Sequence, residues 1–263
     1  MPLRFAIGID AGSAQTKAVL LDSISLALLA KASLPTGWNP KASAEAVLAK
    51  LWQGFGEAQA CSIVATGYGR VAIPFADKNI TEISCHAKGA VHCFPTARLV
   101  IDIGGQDSKV ISLAEGGAVR DFLMNDKCAA GTGRFVESVA RLLGLHIAEF
   151  CALASGGEAC AITSMCAVFA ETEIIGLLAQ GAKPGAIAQG VLASIARRMQ
   201  GLAARLPGTG DCVFSGGLAQ SPVCAERLAQ ELGCPVLVPE YPQFTGALGA
   251  ALEAARLCKE KNA

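Results

Sequence analysis

The chain carries no surplus of either charge: 22 Lys and Arg stand against 22 Asp and Glu, a formal net charge of zero. A surface that binds nucleic acid or anionic lipid shows a basic excess or a basic stripe. The longest basic run is Arg197-Arg198, so neither nucleic acid nor a membrane is expected as a partner. No stretch of about 18 apolar residues runs without a charge or a Gly/Pro break, so no membrane-spanning helix is expected. The opening Met1–Asp10 turns polar too soon for a secretory signal. No Gly-x4-Gly-Lys-Ser/Thr run occurs, which excludes a P-loop. Charged residues make up only 17%, against 52% hydrophobic, so the core is large and 263 residues suit two lobes. The eleven cysteines are expected in a reducing cytoplasm, where disulfides are rare, most of them as small buried hydrophobes.

What is present is an internal repeat. Residues 9–17 read Ile-Asp-Ala-Gly-Ser-Ala-Gln-Thr-Lys, and residues 101–109 read Ile-Asp-Ile-Gly-Gly-Gln-Asp-Ser-Lys. The pattern Ile-Asp-x-Gly-x-x-x-Ser/Thr-Lys thus recurs without a gap, 92 residues on. An apolar run precedes each Asp and another follows each Lys, which reads as strand, tight glycine turn, strand. The glycine permits close backbone approach and leaves N–H groups pointing into the turn, where a phosphate can sit. Asp10 and Asp102, at the strand ends, can hold a cation directly or through water; Mg²⁺ is usually bound through one or two carboxylates plus phosphates. One Asp-x-Gly hairpin is common, whereas two matching copies point to a duplicated domain with facing loops. The candidate phosphate contacts are Gly12, Ser13, Ala14, Gln15, Thr16 and Lys17 in the first copy, and Gly104, Gly105 and Gln106 in the second.

The remaining chain alternates helices and strands. Helices are expected over 43–58, 135–150, 168–180 and 185–206, the last stopped by Pro207-Gly208. Val213-Phe-Ser-Gly-Gly-Leu218 reads as a strand entering a glycine turn, followed by a helix from about Pro222 and a strand at Pro235-Val-Leu-Val238. The segment opening at Thr245 is a small-residue helix able to pack tightly against a neighbour.

This order of pieces resembles the actin/Hsp70/sugar-kinase superfamily. Its first phosphate motif is similar to residues 8–17, its second to 100–109, and its adenosine motif to Phe214-Ser-Gly-Gly-Leu-Ala219. The resemblance implies an α/β fold of duplicated ribonuclease-H-like lobes with ATP in the interlobe cleft. Residues 1–95 plus 245–263 would form the first lobe and 96–244 the second. Gly216 and Gly217 would contact adenosine, with Gln243 a further candidate; Glu171 and Glu173 either touch the nucleotide or are solvated helix residues. His86 reads as a structural hydrogen-bonding residue.

A narrower resemblance rests on Asn125-Asp-Lys-Cys-Ala-Ala-Gly-Thr-Gly-Arg-Phe135, similar to the signature of the activators of 2-hydroxyacyl-CoA dehydratases, relatives of benzoyl-CoA reductase ATPase subunits. Ala65-Thr-Gly-Tyr-Gly-Arg70, Glu82-Ile-Ser-Cys-His-Ala-Lys88 and Phe169-Ala-Glu-Thr-Glu173 resemble that family too. The resemblance implies ATP with Mg²⁺, Asp10 and Asp102 placing the metal and the attacking water, and a homodimer sharing one [4Fe-4S] cluster. Each subunit would give two cysteines, here Cys128 and Cys166. Electrons would arrive from a ferredoxin or flavodoxin and leave singly for a dehydratase or reductase partner. A cluster usually takes four thiolates; this chain has no Cys-x2-Cys pair, a difficulty that a shared cluster removes. Each cysteine lies just before an expected helix, whose N–H groups and dipole stabilise thiolates. Cys160 is the rival ligand. The alternative reading is a small-molecule (sugar) kinase of the same fold, which needs a sugar pocket with an aspartate base and no metal cysteines.

Overall fold

The computed structural model describes residues 5–55, 60–156, 158–164, 166–208 and 210–261. The chain divides into two compact units, Met1–Thr96 with Glu115–Val119 and Gln243–Ala263, and Ala97–Ala114 with Arg120–Pro242. Gln243 falls in the first of these.

The first unit contains β1 (Phe5–Ala11), β2 (Gln15–Asp22), β3 (Leu28–Pro35), α1 (Pro40–Leu51), β4 (Ala60–Thr66), β5 (Lys78–Asn79) and α2 (Glu82–Cys93). The second is built on β6 (Ala97–Ile103), β7 (Ser108–Leu113), β8 (Val119–Asn125), α3 (Gly133–Leu142), α4 (Ile147–Leu153), α5 (Ala167–Ala179), α6 (Pro184–Ala203), β9 (Asp211–Gly216), α7 (Pro222–Leu232) and β10 (Val236–Leu237). The last helix among the described residues is α8 (Thr245–Glu260), which belongs to the first unit.

The sheets run β3-β2-β1-β4-β5 and β8-β7-β6-β9-β10. In each, an antiparallel hairpin (β1–β2, β6–β7) is joined on its other edge by a parallel strand (β4, β9). The repeat seen in the sequence is therefore a repeat of topology.

All seven residues of β1 are buried, as expected for a strand covered on both faces. Phe5, Ile7, Ile9 and Ala11 pack with Val47 and Leu51 of α1 on one face. On the other, Ala6 joins Ala250 and Ala254 of α8. At Gly8 a Cβ would overlap the backbone of Ala247, and at Gly249 one would overlap the backbone of Cys85. The small residues of α8 thus let a helix lie directly on β1 and α2. The second unit closes over one core in which Ile101, Phe135, Phe150, Ile174, Val191 and Phe214 meet.

The helix expected over 135–150 is two helices. Gly144 stands at φ +71, its N–H donating to Arg141 O while Leu145 N–H donates to Ala140 O, a left-handed cap that ends α3. α4 then starts from His146, whose N–H donates to Glu149 Oε2 at 2.8 Å. The apolar period ran through this break because it records burial and is blind to a single left-handed glycine. The helix expected over 43–58 starts earlier, at Pro40, because Asn39 accepts the Ala42 N–H and proline suits the first helical position. It stops at Leu51, and residues 56–58 lie outside the described residues. Among the described residues no helix is long and apolar enough to cross a membrane.

Candidate functional site

The β1–β2 register sets Asp10 opposite Lys17, and Lys17 Nζ stands 3.5 Å from Asp10 Oδ2. Asp10 is buried, and among the described residues its Oδ1 has no hydrogen-bond partner. A buried carboxylate oxygen left alone is costly and signals a cation or water that belongs there. The space beside it is kept clear by glycines. A Cβ on Gly67, at φ +86, would lie 2.5 Å from Asp10 Oδ1, and one on Gly246 would lie 3.1 Å from Asp10 Oδ2 and 2.8 Å from His86 Nε2. His86, buried on α2, has Glu82 Oε1 at 3.8 Å.

The turn after Asp10 is tied down from within and from its flank. Gly12 N–H donates to Gln15 O (3.1 Å), Thr36 Oγ1 to Gly12 O (2.7 Å), Thr36 N–H to Ala14 O (3.1 Å) and Gly69 N–H to Ala11 O (2.9 Å). Gly12 N–H therefore closes the turn, and Thr16 is fully buried in the strand. Ser13, Ala14 and Gln15 form the accessible tip.

The second turn repeats the register, Asp102 opposite Lys109. Here the lysine is fully buried, 3.4 Å from Asp102 Oδ2 and 2.8 Å from Asp107 Oδ1, and Ser215 Oγ donates to Asp102 Oδ1 at 3.0 Å. Gly104 N–H donates to Asp107 O, as Gly12 does to Gln15. The carbonyls of Gly104 and Gly105 accept the N–H groups of Gly133 and Arg134, both at 2.9 Å, so the N-terminus of α3 sits on this turn. Gln106 is exposed at the tip. Gly216 and Gly217 have different duties. Gly216, at φ +93, abuts the Ile103 backbone so closely that a Cβ would overlap it, whereas Gly217 is exposed with none of the described residues near its Cβ position. Gln243 Oε1 is buried without a partner among the described residues, an acceptor available to a ligand.

Cys166 is exposed and caps the N-terminus of α5. Cys128 is half-buried and precedes a 3-10 turn, Ala129–Gly131, so α3 begins five residues later and not directly after it. That turn and α5 pack together, so the two cysteines start neighbouring elements. Asn125 Nδ2 donates to Cys128 O at 2.9 Å, and Arg198 Nη1 of α6 lies 3.4 Å from Cys128 Sγ. Gly131 makes room for both, since a Cβ there would meet Asn125 Nδ2 at 2.5 Å and Arg198 Cδ at 2.6 Å. Sequence reasoning passed over Arg198 as part of a trivial basic run; its signal was a charge within the otherwise apolar stretch of α6.

Cys160, the rival ligand, is pinned to α6: its N–H donates to Ala186 O at 2.9 Å and its carbonyl fills the space beside Gly190. Cys85, Cys151, Cys212, Cys224 and Cys258 are buried. Burial pushes the Cys85 thiol up to about 11 and those of Cys212 and Cys258 up to about 12, which leaves them inert. Cys234 is exposed, outside that buried group of cysteines.

Glu171 and Glu173 have protein partners that neither expectation named. Ser138 Oγ of α3 donates to Glu171 Oε1. Glu173 accepts from Thr163 and Ser164. Partial burial works to raise its carboxyl, but the N–H and hydroxyl donors of those two residues outweigh it and hold it at about 2.

As donors, the orphaned Asp10 oxygen fits a divalent cation or its water. Cys128 and Cys166 fit two of the four thiolates that a [4Fe-4S] cluster takes, half of one site.

Two units of one topology, each with an aspartate at a strand end before a glycine turn, define an α/β protein with the fold of the actin and sugar-kinase group. A ROK family glucokinase from Streptomyces griseus, 14% identical, matches over 96% of this chain and 99% of its own with a TM-score of 0.57, and shares the fold alone. Much closer is the activator of the 2-hydroxyisocaproyl-CoA dehydratase from Clostridium difficile, solved with bound ADPNP. It is 38% identical over 98% of this chain and 97% of its own, with a TM-score of 0.92. The activator of lactoyl-CoA dehydratase from Anaerotignum propionicum is 42% identical over 98% of this chain and all of its own length. An uncharacterized protein, YjiL of Escherichia coli K12, is 43% identical over 95% and 96%. The chain belongs to the BadF/BadG/BcrA/BcrD ATPase family, whose profile matches residues 7–254.

Proposed function

We propose that this protein is an ATP-hydrolysing activator that delivers single electrons to a 2-hydroxyacyl-CoA dehydratase or a related reductase. It would work in the cytoplasm as a homodimer, charged by a ferredoxin or flavodoxin. Family membership and the 42% identity to a lactoyl-CoA dehydratase activator support the reaction class. The observation that carries the electron-transfer half is the pair of cysteines, one exposed and one beside a guanidinium, at the starts of two elements that pack together.

ATP with Mg²⁺ would supply the hydrolysable anhydride, and a [4Fe-4S] cluster shared between two subunits would supply the one-electron carrier. Within this chain, Asp10 offers its unpartnered oxygen to the cation or to a water, and Lys17 balances the charge of the other oxygen. The tip residues Ser13, Ala14 and Gln15 present backbone to the phosphates, as do Gly105 and Gln106 in the second unit. Gly217 leaves open space for the nucleoside, and Gln243 holds an acceptor for it. Asp102 is held in place by Lys109 and Ser215. Cys128 and Cys166 would hold the carrier, with Arg198 beside the Cys128 sulfur.

The test is anaerobic purification of the full chain. A brown dimer with about four irons per two chains is expected for one shared cluster. So is ATP-dependent reduction of an added dehydratase. A colourless, iron-free protein, or four irons per single chain, overturns the shared-cluster reading.

A further inference from the structure

α5 is the helix that starts at Cys166, and few of its side chains are fully buried within the chain. Of its 13 residues only Ala170 and Ile174 are buried, while Val168, Phe169 and Ile175 are exposed. α6, by contrast, buries half of its 20 residues. Ala167, Leu177 and Leu178 pack partly buried against the core, and two carboxylates add polar ties to the preceding loop and to α3.

Glu173, about two turns into α5, reaches back to the loop. Its Oε1 accepts the Thr163 N–H at 2.9 Å and the Thr163 hydroxyl at 2.8 Å, and its Oε2 accepts the Ser164 N–H at 2.9 Å. Cys166 follows Ser164 by two residues, so these bonds set the path by which the chain brings Cys166 to the helix end. Glu171 faces α3 and accepts from Ser138 Oγ. α3 is the helix after Cys128, and its first N–H groups hold the carbonyls of Gly104 and Gly105. One carboxylate thus fixes the Cys166 loop to α5, and the other fixes α5 to the element that joins Cys128 and the second glycine turn.

We propose that Glu171 and Glu173 are positioning residues for the cysteine pair: Glu173 sets the approach of Cys166, and Glu171 sets α5 against α3. The inference rests on the cluster reading proposed above. Charged acceptors bound to two or three donors are the strong class of hydrogen bond, and outer partners of metal ligands carry a large share of metal retention.

The experiment uses the full-length protein, purified anaerobically as wild type, Glu173→Ala, Glu173→Gln, Thr163→Val, Glu171→Ala and Ser138→Ala. Glu158→Ala removes an exposed acid from the same loop and serves as the charge control. Three quantities are read: iron per chain, the rate of iron loss to a ferrous chelator, and the EPR spectrum of the reduced protein with and without ATP-Mg²⁺. Glu173→Ala should lose iron about tenfold faster than wild type, with an altered spectrum, Glu173→Gln should fall between, and Glu158→Ala should match wild type. Glu171→Ala and Ser138→Ala should keep their iron and lose the change in spectrum that nucleotide causes. If wild type holds iron and Glu173→Ala releases it at the wild-type rate with an unchanged spectrum, the positioning role is wrong while the cluster stands. An iron-free wild type overturns the cluster reading itself. Should Glu173→Ala fail to fold, Thr163→Val, which removes one donor and leaves the carboxylate, decides: severalfold faster iron loss supports the role, and a wild-type rate overturns it.

Discussion

The two Asp–Lys hairpins share a register and differ in what surrounds them. In the first, Lys17 keeps 20% of its side chain exposed and one Asp10 oxygen has no partner among the described residues. In the second, Lys109 is fully buried between Asp102 and Asp107, and Ser215 donates to Asp102. The anchors differ as well: Thr36 and Gly69 hold the first turn within its own unit's strand ends, whereas α3, the helix following Cys128, holds the second. Duplication copies backbone pairing, because hairpin length sets register, but side-chain surroundings diverge freely afterwards. One carboxylate is left poised for a ligand, and the other is built into the protein.

The sharpest way to break this comparison is Asp10→Asn against Asp102→Asn. Both should lower ATP hydrolysis on the order of 10²–10³-fold, the usual cost of removing one electrostatic element of an active site. Only Asp102→Asn should also lower the melting temperature, since Lys109 and Ser215 lose the charge they surround. Phosphate release and thermal melting decide, and normal turnover in Asp10→Asn would remove the two-turn account.

Next in size is a glycine pair. Gly216→Ala combines left-handed strain with overlap onto the Ile103 backbone and should cost about 4 kcal/mol. Gly217→Ala has open space and should cost under about 1 kcal/mol while weakening nucleotide binding. Denaturant midpoints and nucleotide titration separate the two glycines, and equal destabilisation would contradict their different duties.

The lysines test the comparison directly. Lys109→Met strands a buried carboxylate and should cost about 3 kcal/mol. Lys17→Met removes a partner that keeps 20% of its side chain in solvent and should cost less, about 1–2 kcal/mol. Similar losses in urea unfolding would show that the two hairpins are energetically alike.

The smallest expected effect is at Arg198. Arg198→Met removes the guanidinium beside Cys128 and should speed iron loss to a chelator about tenfold, with folding unchanged. An unaltered rate would leave Arg198 as packing.

The repeat made both aspartates legible in the sequence, because a strand, a glycine turn and a strand leave a local pattern that needs no distant contact. The small residues of α8 were legible for the same reason, and Gly8 and Gly249 show what they are for. The break at Gly144 was not, since periodicity averages over a window and a left-handed cap is one residue wide. Strands β3 and β8 were also missed: each lies at or near a sheet edge with much of its surface exposed, so its apolar pattern is weak.

By itself, then, the sequence determined the duplicated α/β plan, the two aspartates and the two candidate cysteines, all of them carried by short-range pattern or by motif. Only the tertiary structure decided which aspartate oxygen has no partner among the described residues and which of two adjacent glycines is needed for packing. It alone showed that Arg198 reaches Cys128 across 70 residues of chain. Glu171 and Glu173 belong to the same class, since Ser138 lies 33 residues from its partner and Thr163 lies 10 from its own. Pairings of that kind depend on how helices pack, and packing depends on the shapes of many side chains at once, which no local window records.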